Sequence, residues 1–149
     1  MVACTFLLND HYATVLFDSG ADYSFISTGF IPLLGVSLSP MSYYFEIEMA
    51  DGGLVKLNQI IHGCTLVLED HPFSIDLIPF EMGSFDVIVG MDWMSKVNAV
   101  IEYGNKVVWI PLPNGKVLRV RGEQLEAAKG ISYEYYSKKN GVGKRTGGL

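Results

Sequence analysis

Apolar runs separated by short polar or glycine-containing stretches recur along the first 122 residues. Apolar runs at 2–8 and 11–17 flank Asn9-Asp10, which predicts a hairpin. Positions 43–49 alternate between apolar and polar side chains, which predicts a half-exposed strand. A glycine-rich tip follows, and we predict that residues 54–61 form the returning strand of a hairpin. Further predicted strands lie at 64–68 (after a turn at His62-Gly63), 73–77, 97–103, 106–112 and 116–120. The pattern indicates an all-β fold.

Two stretches interrupt this strand pattern. Residues 23–27 predict a short helical turn or a loop. After Gly90, Asp92 predicts the cap of a short helix that ends near Lys96.

One strand ends at an acid. The apolar run at 15–17 predicts a buried strand, and it leads directly into Asp18-Ser19-Gly20. Glycine in such a turn permits close approach of the backbone. A carboxylate at the end of a core strand is costly unless something uses or pairs it. Asp18 is therefore the candidate catalytic residue.

Asp18 alone would make a poor catalyst of hydrolysis. The reaction needs one group to take a proton from water and another to donate one, and two carboxylates in contact do both. The chain has one Asp-Ser-Gly, and the other candidates, Asp51, Asp76, Asp86 and Asp92, lack that context. We therefore expect the second carboxylate to come from a second copy of the chain, in a two-fold homodimer.

Several motifs occur in a diagnostic order. Phe-Asp-Ser-Gly-Ala-Asp occupies 17–22, and it is followed downstream by Ile-Val-Gly at 88–90, Met-Asp-Trp at 91–93, Val-Val-Trp at 107–109 and Pro-Asn-Gly-Lys at 113–116. This set resembles the retropepsin-like aspartic protease domain of Ty3/gypsy-type retrotransposon polyproteins. The resemblance implies a closed β-barrel of the acid protease kind, with a flap hairpin and one short helix. It also implies aspartic endopeptidase activity on a polypeptide, its own polyprotein, with no cofactor and no metal ion.

The resemblance also implies individual roles. Asp18 would be catalytic, Ser19 and Gly20 would support the pair of acids, and the segment at 88–90 would support the loop that carries Asp18. Met91 stands where viral retropepsins often carry an arginine. The residues implied to bind substrate are Ala21 and Asp22 after the acid, and Ala50, Asp51, Gly52 and Gly53 at the flap tip. The residues of the supporting segment are Ile88, Val89 and Gly90.

Composition narrows the functional classes. Eleven basic and sixteen acidic side chains give a net charge of −5, which argues against nucleic-acid binding by this domain. No run of 18 apolar residues and no secretory signal pattern occurs, so we expect no membrane partner. Cys4 and Cys64 predict reduced thiols, which suit an intracellular protein. The resemblance implies the cytoplasm or virus-like particles as its place.

The sequence changes character near its C-terminal end. We predict a protease domain at 1–122, a short helix at 123–129, and a polar tail or linker over 123–149 as a whole. The main alternative to an enzyme is a catalytically inactive, retroelement-derived dimerisation or peptide-binding module. An unrelated small β-barrel binding module would leave Asp18 without a purpose.

Overall fold

A computed structural model of the chain describes residues 2–48, 51–123, 138–139 and 144–145. It contains one 3-10 turn, Ile31–Leu33, and one α-helix, α1, Met91–Lys96. The strands are β1 Val2–Leu8, β2 His11–Phe17, β3 Phe25–Ile26, β4 Ser39–Glu48, β5 Leu54–Leu68, β6 His71–Pro79, β7 Val87–Val89, β8 Val100–Glu102, β9 Val107–Pro111, β10 Val117–Arg121, β11 Lys138–Lys139 and β12 Lys144–Arg145.

Six strands close into a barrel in the order β1-β2-β7-β3-β6-β5. The last strand returns to the first, because β5 pairs with β1 through Leu7 opposite Val67 and Leu8 opposite Leu66. Most neighbours are antiparallel, but β2 runs parallel to β7 and β3 runs parallel to β6. The all-β closed barrel with one short helix is thus confirmed.

The barrel interior holds the main apolar core. Phe17, Leu66 and Leu77 are among its fully buried side chains. A second sheet, in the order β10-β9-β8, adds Val108 and Val120 to the same core. Burying large apolar side chains stabilises a fold by roughly 1.5–3 kcal/mol each, so this shared core holds the sheet against the barrel.

The predicted hairpin at β4 and β5 is present. Phe45 and Ile47 are buried while Glu48 is exposed, as the alternation predicts. The tip is described from Asp51 onwards, where the Gly53 N–H donates to the Asp51 carboxylate (2.8 Å). The opposite edge of β4 pairs with β11 and β12.

The predicted turn at His62-Gly63 is wrong, because β5 runs through it as one strand. Its register with β6 shifts between Ile61 and Cys64, which is a β-bulge. Gly63 has φ of 68° and its N–H donates to the Asp76 carboxylate (2.8 Å), while His62 Nδ1 lies 3.4 Å from the same group. Glycine adopts this left-handed geometry readily, so the strand kinks without ending.

The segment at 23–27 contains a buried strand, β3, where a helical turn or loop was predicted. β3 is only two residues long, and it pairs with β6 on one side and with β7 on the other. Two residues are too few to show a hydrophobic period, so neighbouring strands determine this conformation.

The remaining predictions concern the cysteines and the C-terminal region. Cys64 is buried and Cys4 is half-buried, and both are free thiols. Most of the predicted helix and tail at 123–149 lies outside the described residues, so the domain boundary stays a prediction. In the described parts of the chain, no helix is long and apolar enough to span a bilayer.

Candidate active site

Asp18 follows the last residue of β2 and is 7% exposed. Its backbone N–H donates to the carbonyl of Val89 (3.0 Å), which fixes the chain at the strand end. The Gly20 N–H donates to Asp18 Oδ1 (2.8 Å), and the Ala21 N–H donates to the Asp18 carbonyl (3.1 Å). The turn therefore holds the carboxyl group in one orientation.

Burial raises the pKa of Asp18 above its ordinary value, because removing the group from water disfavours its charged form. The hydrogen bond from Gly20 acts in the opposite direction and is the smaller effect. A carboxyl that keeps its proton to a higher pH is suited to donate one. Perturbed groups of this kind cluster at functional sites.

Ser19 and Gly20 complete the turn, and both are exposed. The Ser19 hydroxyl forms a hydrogen bond with the hydroxyl of Tyr103, which lies in the turn between β8 and β9. The predicted role of Ser19 across a two-fold axis stays a prediction.

Strand β7 lies directly beside the strand that delivers the acid. Leu16 pairs with Ile88, and Phe17 pairs with Val89. Gly90 follows, and a Cβ placed there would lie 2.2 Å from the Tyr23 carbonyl oxygen. Only glycine fits this approach between the two segments.

The residues after Gly90 continue the contact with the loop. The Met91 N–H donates to the carbonyl of Ala21 (2.8 Å) and the Asp92 N–H donates to the carbonyl of Asp22 (3.0 Å). The structure therefore brings the Ile-Val-Gly segment and the Asp-Ser-Gly loop together, although some 70 residues separate them in the sequence.

Asp92 does not cap the helix as predicted, because the N-cap position is Gly90. Its Oδ1 accepts hydrogen bonds from the Ser24 hydroxyl (2.7 Å) and the Trp93 N–H (2.7 Å), and its Oδ2 accepts one from the Ser24 N–H (3.2 Å). The Ser24 hydroxyl in turn accepts one from the Gly90 N–H (2.9 Å). Burial raises the pKa of Asp92 above its usual value.

Sequence reasoning missed the contact between Ser24 and Asp92. The two residues lie 68 positions apart, and neither belongs to a local pattern that predicts a tertiary hydrogen bond. The local signal near this contact is the Gly-Met-Asp-Trp sequence, and it predicts Asp92 as a helix cap rather than as the partner of Ser24.

The residues predicted to bind substrate lie in two places. On the loop, the Ala21 side chain is fully buried in the protomer and Asp22 is exposed. At the flap tip Asp51, Gly52 and Gly53 are exposed, and Ala50 lies outside the described residues. Their contacts with substrate stay predictions.

A groove of about 450 Å³ lies between the flap hairpin and the barrel. Its lining includes Tyr23 of the loop but not Asp18. Most of the lining side chains are aromatic or aliphatic, and two of them, Asp76 and Asp92, are acidic. The lining residues are Tyr23, Pro40, Met41, Ser42, Tyr43, Phe45, Ile60, His62, Asp76, Ile78 and Asp92. Within the described residues, no group of three or more His, Cys, Asp or Glu side chains could hold a metal ion.

A family model described as retroviral aspartyl protease matches residues 1–115. The chain belongs to this family. The match includes both the Asp18 loop and the segment that follows β7. Members of the retroviral aspartyl protease family act as dimers on polypeptide substrates, with an aspartate as the catalytic group.

One solved structure shares this fold, and a second one also matches part of the chain. The retroviral protease-like domain of Ddi1 from Leishmania major is 17% identical, with a TM-score of 0.62 over 83% of this chain and 94% of that one. The EIAV protease complexed with the inhibitor HBY-793 is 19% identical, with a TM-score of 0.48 over 67% of this chain and 90% of that one. The comparison with curated proteins gave no significant match.

Proposed function

We propose that the chain is an aspartic endopeptidase of a retroelement polyprotein, active as a homodimer to which each copy contributes Asp18. The observation that carries the proposal is the setting of Asp18. It follows directly after a core strand, is buried, accepts a hydrogen bond from Gly20 and has a raised pKa. A fold that only needed a turn there would not bury an acid.

The proposed chemistry uses two such carboxyl groups. Like charges in contact cannot both ionise easily, so one group keeps a proton near working pH, and the pair titrates as a unit. The ionised carboxylate takes a proton from water as the oxygen attacks the scissile carbonyl carbon. The protonated partner gives its proton to the carbonyl oxygen. As the C–N bond breaks, the first carboxyl group passes the proton taken from water to the leaving nitrogen, and the partner recovers its proton as the C=O bond re-forms.

The dimer and the substrate belong to the same proposal. Ser19 and Gly20 sit beside the acid, where a two-fold partner would meet them, and the flap tip at Asp51, Gly52 and Gly53 is exposed and free to cover a peptide. We propose the parent polyprotein as substrate, and the cytoplasm or a virus-like particle as the place of cleavage.

The test compares cleavage of an unfolded protein by the wild type and by Asp18→Asn, at mildly acidic and neutral pH. A transition-state-mimicking aspartic protease inhibitor is added in parallel. Asp10→Asn is the matched control, because it makes the same chemical change at an exposed turn position. We expect cleavage by the wild type and Asp10→Asn, inhibition of both, and no cleavage by Asp18→Asn.

The opposite outcome is equally informative. A folded wild-type dimer that cleaves nothing at any pH would refute the enzymatic proposal. The chain would then be a catalytically inactive dimerisation or peptide-binding module built on the same fold.

A further inference from the structure

Asp92 is a second acid beside the loop at 18–24; the residue reaches the surface, while the hydrogen bonds to its carboxylate are partly buried. Three donors converge on its carboxylate, two from Ser24 and one from the backbone of Trp93. Ser24 has no exposed surface, and it occupies the end of the loop that begins at Asp18. The peptide hydrolysis described above does not use Asp92 directly.

The contacts form a continuous path from Asp92 to the catalytic acid. The Asp92 carboxylate accepts hydrogen bonds from Ser24. The backbone N–H groups of Met91 and Asp92 donate to the carbonyls of Ala21 and Asp22 in the same loop. The loop then closes on Asp18 through the Ala21 N–H and the Gly20 N–H. Both ends of the loop are therefore fixed by hydrogen bonds.

We propose that Asp92 is a positioning residue, whose carboxylate keeps the loop at 18–24 in the conformation that presents Asp18. The consequence for catalysis rests on the function proposed above, whereas the consequence for the loop does not.

The chemistry of the three donors explains why an acid is required. A carboxylate offers only acceptors, and each of its oxygens faces a donor here. An asparagine side chain has one acceptor oxygen, and its NH₂ group would face a donor from Ser24 or Trp93. Asp92→Asn therefore leaves at least one of the three partly buried donors without its acceptor, although asparagine has nearly the same size and shape as aspartate.

Asp86 supplies a matched control elsewhere in the barrel. Its carboxylate accepts hydrogen bonds from the N–H (2.9 Å) and the hydroxyl (3.1 Å) of Thr14. This hydrogen-bonded contact between Asp86 and Thr14 joins residues far apart in the sequence, as the contact between Asp92 and Ser24 does. It lies away from the loop at 18–24. Asp86→Asn makes the same chemical change outside that loop, at a carboxylate whose two donors both reach Oδ2.

The test uses the full chain labelled with ¹⁵N, and follows the Gly20 amide through a pH titration. This N–H donates to Asp18 Oδ1, so its chemical shift reports the ionisation of Asp18. We expect Asp92→Asn to reduce the amplitude of the Gly20 titration and to lower kcat by about tenfold to a hundredfold, with KM near the wild-type value. For Asp86→Asn, whose amide oxygen can accept both hydrogen bonds from Thr14, we expect little change of Tm and an unchanged Gly20 titration.

The proposal is overturned if the Gly20 titration of Asp92→Asn superimposes on that of the wild type. Should that variant fail to fold, Ser24→Ala decides by the same criterion, since it removes the hydroxyl between Gly90 and Asp92 and keeps the carboxylate. A wild type that cleaves nothing would refute the proposed enzyme, yet the titration would still show whether Asp92 positions the loop.

Discussion

At the scale of single residues, buried polarity is concentrated near one point. Among the described residues, the buried polar or charged side chains are Asp18 and Ser24, and both belong to the loop at 18–24. No described buried side-chain nitrogen or oxygen lacks a hydrogen-bond partner. Satisfied polar groups inside an apolar core fix a conformation, because any rearrangement would leave one of them unpaired.

We predict that Asp18→Asn stabilises the fold at neutral pH by roughly 0.5–2 kcal/mol. Burial raises the pKa of Asp18 in the folded state above that in the unfolded chain. The folded state therefore binds more protons than the unfolded chain over the interval between the two values, and wild-type stability falls as pH rises through that interval. Asparagine keeps an acceptor for the Gly20 N–H and carries no charge to bury.

Urea unfolding of both proteins at equal concentration checks this prediction. The advantage of Asp18→Asn is expected to shrink as pH falls and to disappear below the unfolded-state pKa of aspartate. A variant less stable than the wild type at neutral pH would contradict the argument.

We predict that Gly90→Ala destabilises the fold by roughly 1–3 kcal/mol or more, because the added carbon would press on the backbone carbonyl of Tyr23. Gly29→Ala is the control, since a Cβ there meets nothing within 4 Å. Thermal unfolding distinguishes the two variants. Equal Tm values for both would mean that the loop adjusts to the added carbon without cost.

At the scale of secondary-structure elements, the bulge in β5 shapes one side of the groove. It joins the flap part of β5 to the barrel part without breaking the strand. We predict that Gly63→Ala costs roughly 1–2 kcal/mol, because the φ of 68° is unfavourable for a residue with a Cβ.

Gly104→Ala is the control for Gly63→Ala. A Cβ at either position meets nothing within 4 Å, but of these two glycines only Gly63 has a positive φ. Urea unfolding is expected to show a clear loss for Gly63→Ala and little change for Gly104→Ala. Similar losses for both would assign the effect to the added carbon rather than to the backbone.

The sequence predicts those elements whose cause is local. The hairpin of β1 and β2 follows from two apolar runs around Asn9-Asp10, and the hairpin of β9 and β10 from Asn114-Gly115. The flap hairpin follows from alternation and a glycine-rich tip. The Asp18 strand is visible because an apolar run ends at an acid.

The elements that the sequence did not predict depend on distant partners. The bulge at Gly63 depends on a hydrogen bond to Asp76, thirteen residues away. The hydrogen bonds to the Asp92 carboxylate depend on Ser24, 68 residues away. The strand β3 exists because two neighbours pair with it. Local pattern contains none of this information, so the support of the candidate site emerged only from the fold.

At the scale of the whole molecule, one protomer presents one Asp-Ser-Gly loop. If two copies share the catalytic site, the specific activity must depend on protein concentration. We predict that activity per chain falls on dilution and rises again on concentration, following the dimer fraction measured by sedimentation. Constant activity per chain from a strict monomer would contradict the shared site.

The pairing of β2 with β7 determines when the Asp18 loop can fold during protein synthesis. The ribosome releases Asp18 early, but the strand and the hydrogen bonds that hold its loop come from residues 87–92. Such non-local pairing must wait for the intervening chain. A nascent polypeptide therefore cannot acquire a finished loop before most of the barrel has emerged, so the proposed proteolysis could begin only after translation has passed residue 92.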